Sequence, residues 1–261
     1  MPGYPQDLLS NRSVVKADFA IITPQGRVIN TVPGIVDAKM TILCSPKIGA
    51  GFVQLIGTLG ATAHTDYPYG AKEHEEAFIY VLDGEVELEV DVAGEKRVLT
   101  QGGYAYSAPG KGIGFKNVNG KEGRILLYKQ RYIPHPDPAM QPYAVFGNTN
   151  DIEERIYDNM ENVFVRDLLP VDERFDMNMH ILSFAPGGCH PFVETHVQEH
   201  GAYVFCLPSV APALLELEQV GRTGVKAAAV ELAAVPVPER KVRPVTFTVQ
   251  SARLDAVVSG M

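Results

Sequence analysis

KEHEEAFIYVLDG (residues 72–84) and VQEHGAYVF (residues 197–205) are two versions of one pattern. In each, a polar run of histidine and glutamate opens a short strand of aromatic and β-branched residues. The lead-ins match as well. QLIGTLGATA (54–63) precedes the first and NMHILSFAPGG (178–188) the second. Each is a strand that ends in small residues before a loop. A self-similar pattern of this length predicts a duplicated β-barrel domain, and such a repeat decides the fold before any single motif does.

Working outward, MTILCSP (40–46), GFVQLIGTLG (51–60), AFIYVLDGEVELEVDV (77–92) and RILLYKQRYI (124–133) read as strands. In the third, Asp83-Gly84 between two alternating runs predicts a hairpin turn. GGYAYSAPGKGIGFKN (102–117) is a strand bracketed by glycines and a Pro-Gly turn. MNMHILSF within 175–188 alternates strictly. Helical patterns are scarce. NDIEERIYD (150–158) predicts one short helix capped by Asn150. Residues 134–160 form a connection, with four prolines between 134 and 142. The expected fold class is therefore all-β, with one barrel over 1–145 and a second over 146–261.

The bulk numbers restrict function. A chain of 261 residues can bury one or two substantial cores. A net charge of −8 speaks against a nucleic-acid partner, which would call for a basic face. No apolar run reaches the length of a membrane span. The N-terminal residues carry no basic segment followed by an apolar one, so the expectation is a cytoplasmic protein. Cys44, Cys189 and Cys206 fit no zinc or redox spacing and read as buried apolar thiols.

The chemistry concentrates in PFVETHVQEHGAYVF (191–205). Alternate residues of a strand share a face. Glu194, His196 and His200 would therefore face one side of a regular strand, inside a barrel. Two imidazoles and a carboxylate suit a divalent transition metal, and manganese, iron, zinc and nickel all fit. Burying such a set in an apolar barrel without a partner is costly, which favours a metal over a plain core. The first-half cluster is poorer. His74 and Glu76 share a face, but His64 lies ten residues back, and a solvated loop is the better reading. His135, His180 and His190 stand singly and read as structural or surface residues.

E-T-H-V-Q-E-H-G-A-Y, preceded by FDMNMHILSFAPGG, closely resembles the (S)-ureidoglycine aminohydrolases. DLLSNRSVVKADFAIITPQGRVINTVPG, GGYAYSAPG and LYKQRYIP agree with that family too, so the resemblance runs from residue 3 to about 205. It implies a bicupin, two tandem cupin barrels, whose C-terminal barrel holds one Mn2+. It implies hydrolysis of (S)-ureidoglycine to (S)-ureidoglycolate and ammonia in purine breakdown. Glu194, His196 and His200 match the family's metal ligands, and Glu194 would also lie against the substrate as its catalytic carboxylate. A homo-oligomer is implied, and some relatives enter the endoplasmic reticulum.

Residues 206–261 depart from that pattern. From 204 onward there is no histidine, tyrosine or tryptophan, and Ala and Val supply 21 of 58 residues. Leu207 stands where a turn glycine is expected. The family's later glutamine ligand, in a P-Q-W-like context, has no counterpart. Gln219 and Gln250 lie in other contexts, so the fourth ligand is assigned to no residue. A break at one point is the pattern left by a frameshift or a gene-model error. The second barrel is expected to be incomplete past the metal-binding hairpin, with open edges, and PALLELEQVGRTGVKAAAVELAAV is rich in helix formers. Two functions follow: a metal-dependent aminohydrolase, or a non-catalytic cupin binding protein whose C-terminal site is lost.

Overall fold

The computed structural model describes residues 13–15, 20–185, 200–206, 225–232 and 245–251, the last three segments through their backbone. The chain divides into two compact units. One, the barrel unit, comprises Val28–Glu153 and Leu168–Asn178. The other, the C-terminal unit, comprises Met1–Arg27, Glu154–Asp167 and Met179–Met261.

The barrel unit contains β3 (Ile29–Asn30), β4 (Ile35–Cys44), β5 (Phe52–Thr65), β6 (Glu75–Gly84), β7 (Leu88–Val92), β8 (Glu95–Leu99), β9 (Gly103–Ser107), β10 (Gly114–Asn117), β11 (Gly123–Arg131) and β12 (Val145–Asn148). Hydrogen bonding runs β12-β9-β6-β11-β5-β10-β7-β8, with β4 on β5 and β3 on β4. β5, at 14 residues, is the spine: it pairs with β11, β4 and β10. Gly60 interrupts it because a Cβ there would meet the Asp37 carboxylate at 2.4 Å. Asp37, at φ 51° in a bulge of β4, accepts hydrogen bonds from the Thr62 amide (2.8 Å) and hydroxyl (2.7 Å). Those bonds, the hydroxyl's first, hold its carboxyl below the usual range.

The apolar runs in β6 and β11 are nearly continuous because both faces of these strands are buried. Ala77, Ile79, Val81, Ile125 and Leu127 point into a core shared with Leu55, Leu59, Leu88 and Val90. Phe78, Tyr80, Leu126 and Tyr128, of the opposite parity, are also buried. Phe78 stacks on Tyr104 at 5.7 Å between ring centroids and meets Tyr128 edge-on at 6.5 Å. Phe175 packs edge-on against Tyr106 at 5.2 Å. The interior of this barrel is thus a filled apolar core.

Two local expectations fail here for identifiable reasons. Asp83-Gly84 makes no hairpin between β6 and β7, which are not paired with each other. Gly84 (φ +95°) instead lies against the Glu122–Gly123 backbone, where a Cβ would come within 2.5 Å of the Glu122 carbonyl oxygen. The Asp83 carboxylate accepts from Arg124 Nε at 2.9 Å. The tight hairpin is the next one along, β7–β8, where Ala93 and Gly94 both take positive φ (54° and 91°). Residues 150–158 are not helical either. A single 3-10 turn, Thr149–Asp151, is capped by Asn148 rather than Asn150; the Asn148 side chain accepts from the Asn150 amide. The chain then enters β13 (Arg155–Ile156) and pairs with β14 (Val163–Asp167). Ion pairs Arg155–Asp167 (2.5 Å) and Arg166–Glu154 (3.0 Å) strap those two strands together, and a segment with so little apolar periodicity has no helical face to bury instead.

The C-terminal unit carries an eight-stranded mixed sheet. Besides β13 and β14 it contains β1 (Val14–Val15), β2 (Ala20–Ile22), β15 (Met177–Phe184), β16 (His200–Cys206), β17 (Val225–Leu232) and β18 (Val245–Ser251), ordered β1-β2-β17-β16-β18-β15-β14-β13. β15 is the alternating MNMHILSF, with Met177, Met179, Ile181 and Ser183 buried. Past residue 205, where missing strands were expected, two strands form. β17 (VKAAAVEL) runs parallel to both β16 and β2, and β18 antiparallel to β16. Helix-forming alanines are thus held extended by pairing on both sides, an override of propensity by tertiary context. Both sheet edges, β1 and β13, are only two residues long.

Leu126 and Leu127 test the two-faced burial directly. Each should cost about 2–5 kcal/mol when changed to alanine, because each leaves a cavity in a packed layer. Urea denaturation of both variants checks this; a sheet with only one packed face would tolerate one of the two.

Candidate metal centre and buried carboxylate network

Of the three residues expected to bind metal, Glu194 and His196 lie outside the described residues. His200 is the first residue of β16. The register places it opposite Gln250 of β18 on one side and Val225 of β17 on the other. Gln250, which sequence context set aside, is thus the direct cross-strand partner of His200. No reading of motifs could find this, since it depends on how residues beyond 205 pair.

Among the described residues, no three His, Cys, Asp or Glu side chains gather closely enough to hold a metal. His64 Nδ1 hydrogen-bonds the Thr62 carbonyl (2.8 Å) and its Nε2 lies 3.6 Å from Asp66. The His74 carbonyl accepts from the Tyr132 amide (2.8 Å) while its ring is exposed. His135 accepts from the Asp137 amide through Nδ1 (3.0 Å) and places Nε2 3.3 Å from Glu173. His180 is buried in β15, opposite Asp167. Cys44 is buried and not part of a disulfide; Cys189 is outside the described residues.

The barrel unit holds a polar constellation that sequence reading missed. Glu76 is fully buried on the outward-facing parity of β6. Its Oε2 accepts from the Tyr106 hydroxyl at 2.5 Å and its Oε1 from Gln130 Nε2 at 2.7 Å. The same Gln130 nitrogen lies 3.4 Å from Asp176 Oδ2, which also accepts from the Ile133 amide at 3.1 Å. Asp176 is fully buried too. The one signal in the sequence was parity. Glu76 shares its face with Phe78 and Tyr80, and a carboxylate on an apolar face must be satisfied internally.

Tyrosine protonation follows from this burial. Tyr106 is pushed far above its ordinary value, first by desolvation and then by the neighbouring Glu76. Tyr128 is raised by desolvation although the Gln54 amide donates to its hydroxyl at 2.9 Å. Tyr104 is pushed up to about 12 by burial, then by Asp151 and Tyr80. These phenols act as fixed donors and packing groups at neutral pH, not as bases.

Two outcomes follow. Tyr106→Phe removes a donor from a buried carboxylate and should lower unfolding free energy by about 1.5–3 kcal/mol, read from chemical denaturation. Phenols whose folded value exceeds the unfolded one contribute stability that is complete below the unfolded value and lost as pH climbs through the folded one. The Tyr104 contribution should therefore fade between pH 10.0 and about 12, read as a fall in unfolding free energy by chemical denaturation across that window.

Comparison with known proteins places the chain. No family model matches it. It is 44% identical over 203 residues to (S)-ureidoglycine aminohydrolase of Escherichia coli strain K12, covering 77% of this chain and 76% of that enzyme. It is 28% identical to the probable (S)-ureidoglycine aminohydrolase of Oryza sativa subsp. japonica, covering 77% of this chain and 62% of that protein. Among solved structures it is similar to protein Ylba from E. coli, with TM-score 0.66 and 41% identity over 77% of this chain and 79% of that one. A putative glyoxylate-induced protein from Pseudomonas aeruginosa aligns with TM-score 0.63 and 26% identity over 78% of this chain and 76% of that one. The all-β bicupin class expected from the sequence, altered at its C-terminal end, holds. With well over 30% identity across three quarters of both chains, this protein belongs to the (S)-ureidoglycine aminohydrolase family.

Proposed function

We propose that this chain hydrolyses (S)-2-ureidoglycine to (S)-ureidoglycolate and ammonia, with Mn2+ held by Glu194, His196 and His200. The observation that carries the reading is the 44% identity over 203 residues to the E. coli enzyme of that name. The donor set fits: two neutral imidazoles and one carboxylate are a common ligand set for a divalent first-row ion, and three protein ligands leave positions open for substrate. When bound, the ion supplies Lewis acidity.

The chain's own residues then have distinct tasks. His196 and His200 donate ring nitrogens and must stay neutral to do so. Glu194 lies against the substrate and moves a proton to the departing amino group. The bond to that nitrogen breaks, a water oxygen takes its place on the same carbon, and the nitrogen leaves as ammonia. The reading extends to a homo-oligomer, supported by the resemblance. No helix among the described residues is long and apolar enough to cross a membrane.

The alternative is a binding protein without turnover, favoured by one observation: the family pattern ends at residue 205, inside the segment that must complete the site. Purified protein incubated with fresh ureidoglycine and Mn2+ separates the two. Ammonia release above background, lost on chelation and on His196→Ala, is expected. So is a fall of about 10²–10⁴-fold in Glu194→Gln, the usual worth of a positioned acid–base group. Bound manganese, measured by elemental analysis, should drop in His200→Ala. Release at background level in the wild type, with metal supplied, would sink the catalytic reading.

A further inference from the structure

A cleft of about 380 Å3 opens where β11 leaves the barrel, lined by His74, Arg131, Tyr132, Ile133 and Pro134. Its charge is set by an imbalance in the neighbouring ladder. Arg131 pairs in register with Glu75. Yet the Glu75 carboxylate is taken by Lys129 Nζ at 3.0 and 3.1 Å, with Lys72 at 3.9 Å. Two lysines thus engage one acid, with Arg131 opposite it in the ladder; Glu73 is exposed, and the buried Asp176 is engaged by the Ile133 amide and Gln130. Arg131 forms no ion pair among the described residues, and its guanidinium is exposed at the cleft.

The other polar groups of the cleft are already committed. The Tyr132 hydroxyl donates to the Arg174 carbonyl at 3.2 Å, its amide to the His74 carbonyl at 2.8 Å, and the Ile133 amide to Asp176 at 3.1 Å. What remains is one guanidinium and one imidazole in a cleft also lined by Tyr132, Ile133 and Pro134. A guanidinium presents a rigid fork that matches a carboxylate with two parallel hydrogen bonds. Sites of this size commonly pair an apolar wall with a few polar groups.

We propose that this cleft is a second binding site, for a small carboxylate with an apolar body, held by Arg131 and His74. It does not depend on the C-terminal metal centre. A saturation-transfer NMR titration of the full chain with benzoate as probe tests it. Saturable binding is expected, with a dissociation constant on the order of 1 mM for a ligand of this size. Arg131→Gln should weaken it about tenfold or more, with the melting temperature unchanged because the side chain is exposed and unpaired. His74→Gln should weaken it less. Benzamide, which has the same body without the charge, should bind far more weakly. No saturation up to about 20 mM, well above that constant, would overturn the proposal, as would equal binding to Arg131→Gln. Inorganic phosphate binding as tightly as benzoate would overturn the assigned ligand class, since the apolar wall would then contribute nothing.

Discussion

The Glu76 carboxylate sits on a strand face whose other residues are Phe78 and Tyr80, and it has to be satisfied without water. An isolated buried carboxylate costs far more than a domain's net stability can absorb. Much else in the barrel unit follows from meeting that demand. β9 must bring the Tyr106 hydroxyl to one oxygen, and β11 must bring Gln130 to the other. The 168–178 segment must then return so that Asp176 meets the same amide and caps the Ile133 amide as the chain leaves β11. Phe175, one residue earlier, seals the Tyr106 ring. A half-made network of this kind is worse than an apolar replacement, so the register of three strands and one return segment is specified together.

The sequence was legible where one physical signal dominated. The alternating pattern of MNMHILSF marked β15 over its full length, Met177–Phe184, where Met177, Met179, Ile181 and Ser183 are buried on one face and His180 alone on the other. Continuous apolar runs marked β6 and β11 for the opposite reason. It misled where two signals competed. Asp83-Gly84 carries hairpin composition, but that glycine is required for a close approach to the Glu122–Gly123 backbone rather than for a two-residue turn. In NDIEERIYD, charged residues with helical propensity form cross-strand ion pairs with β14 instead. The buried network stayed invisible because Glu76 finds its partners 30 and 54 residues away, and only the pairing of β6 with β9 and β11 brings them together.

The two halves of the duplication have diverged in what their polar clusters do. In the first, KEHEEAF opens β6 with Glu75 held by lysines and Glu76 locked into structure, while Met40, Leu55, Leu59 and Ile113 help fill the barrel interior. In the second, the equivalent cluster opens β16 at His200, and the strands that flank it come from beyond the point where the family pattern ends. The pairing of His200 with Gln250 means that the departing segment still supplies an amide-bearing residue at the register of the candidate ligand. Loss of sequence resemblance is therefore not the same as loss of the strand positions.

Net charge sets less of the ligand preference than it first suggests. A total of −8 disfavours anions only through the long-range field, and at physiological salt that field decays over about 8 Å. Within that distance the local arrangement decides. Around Glu75 the lysines exceed the acid they engage, so Arg131 keeps its charge for something else. This is a consequence of sharing: a carboxylate that accepts from Lys129 at 3.0 Å through one oxygen and at 3.1 Å through the other has little left for the arginine directly across the ladder. An acidic protein can thus present a cationic fork at one strand end, and it does so where the chain's own hydrogen bonds have already used the neighbouring donors.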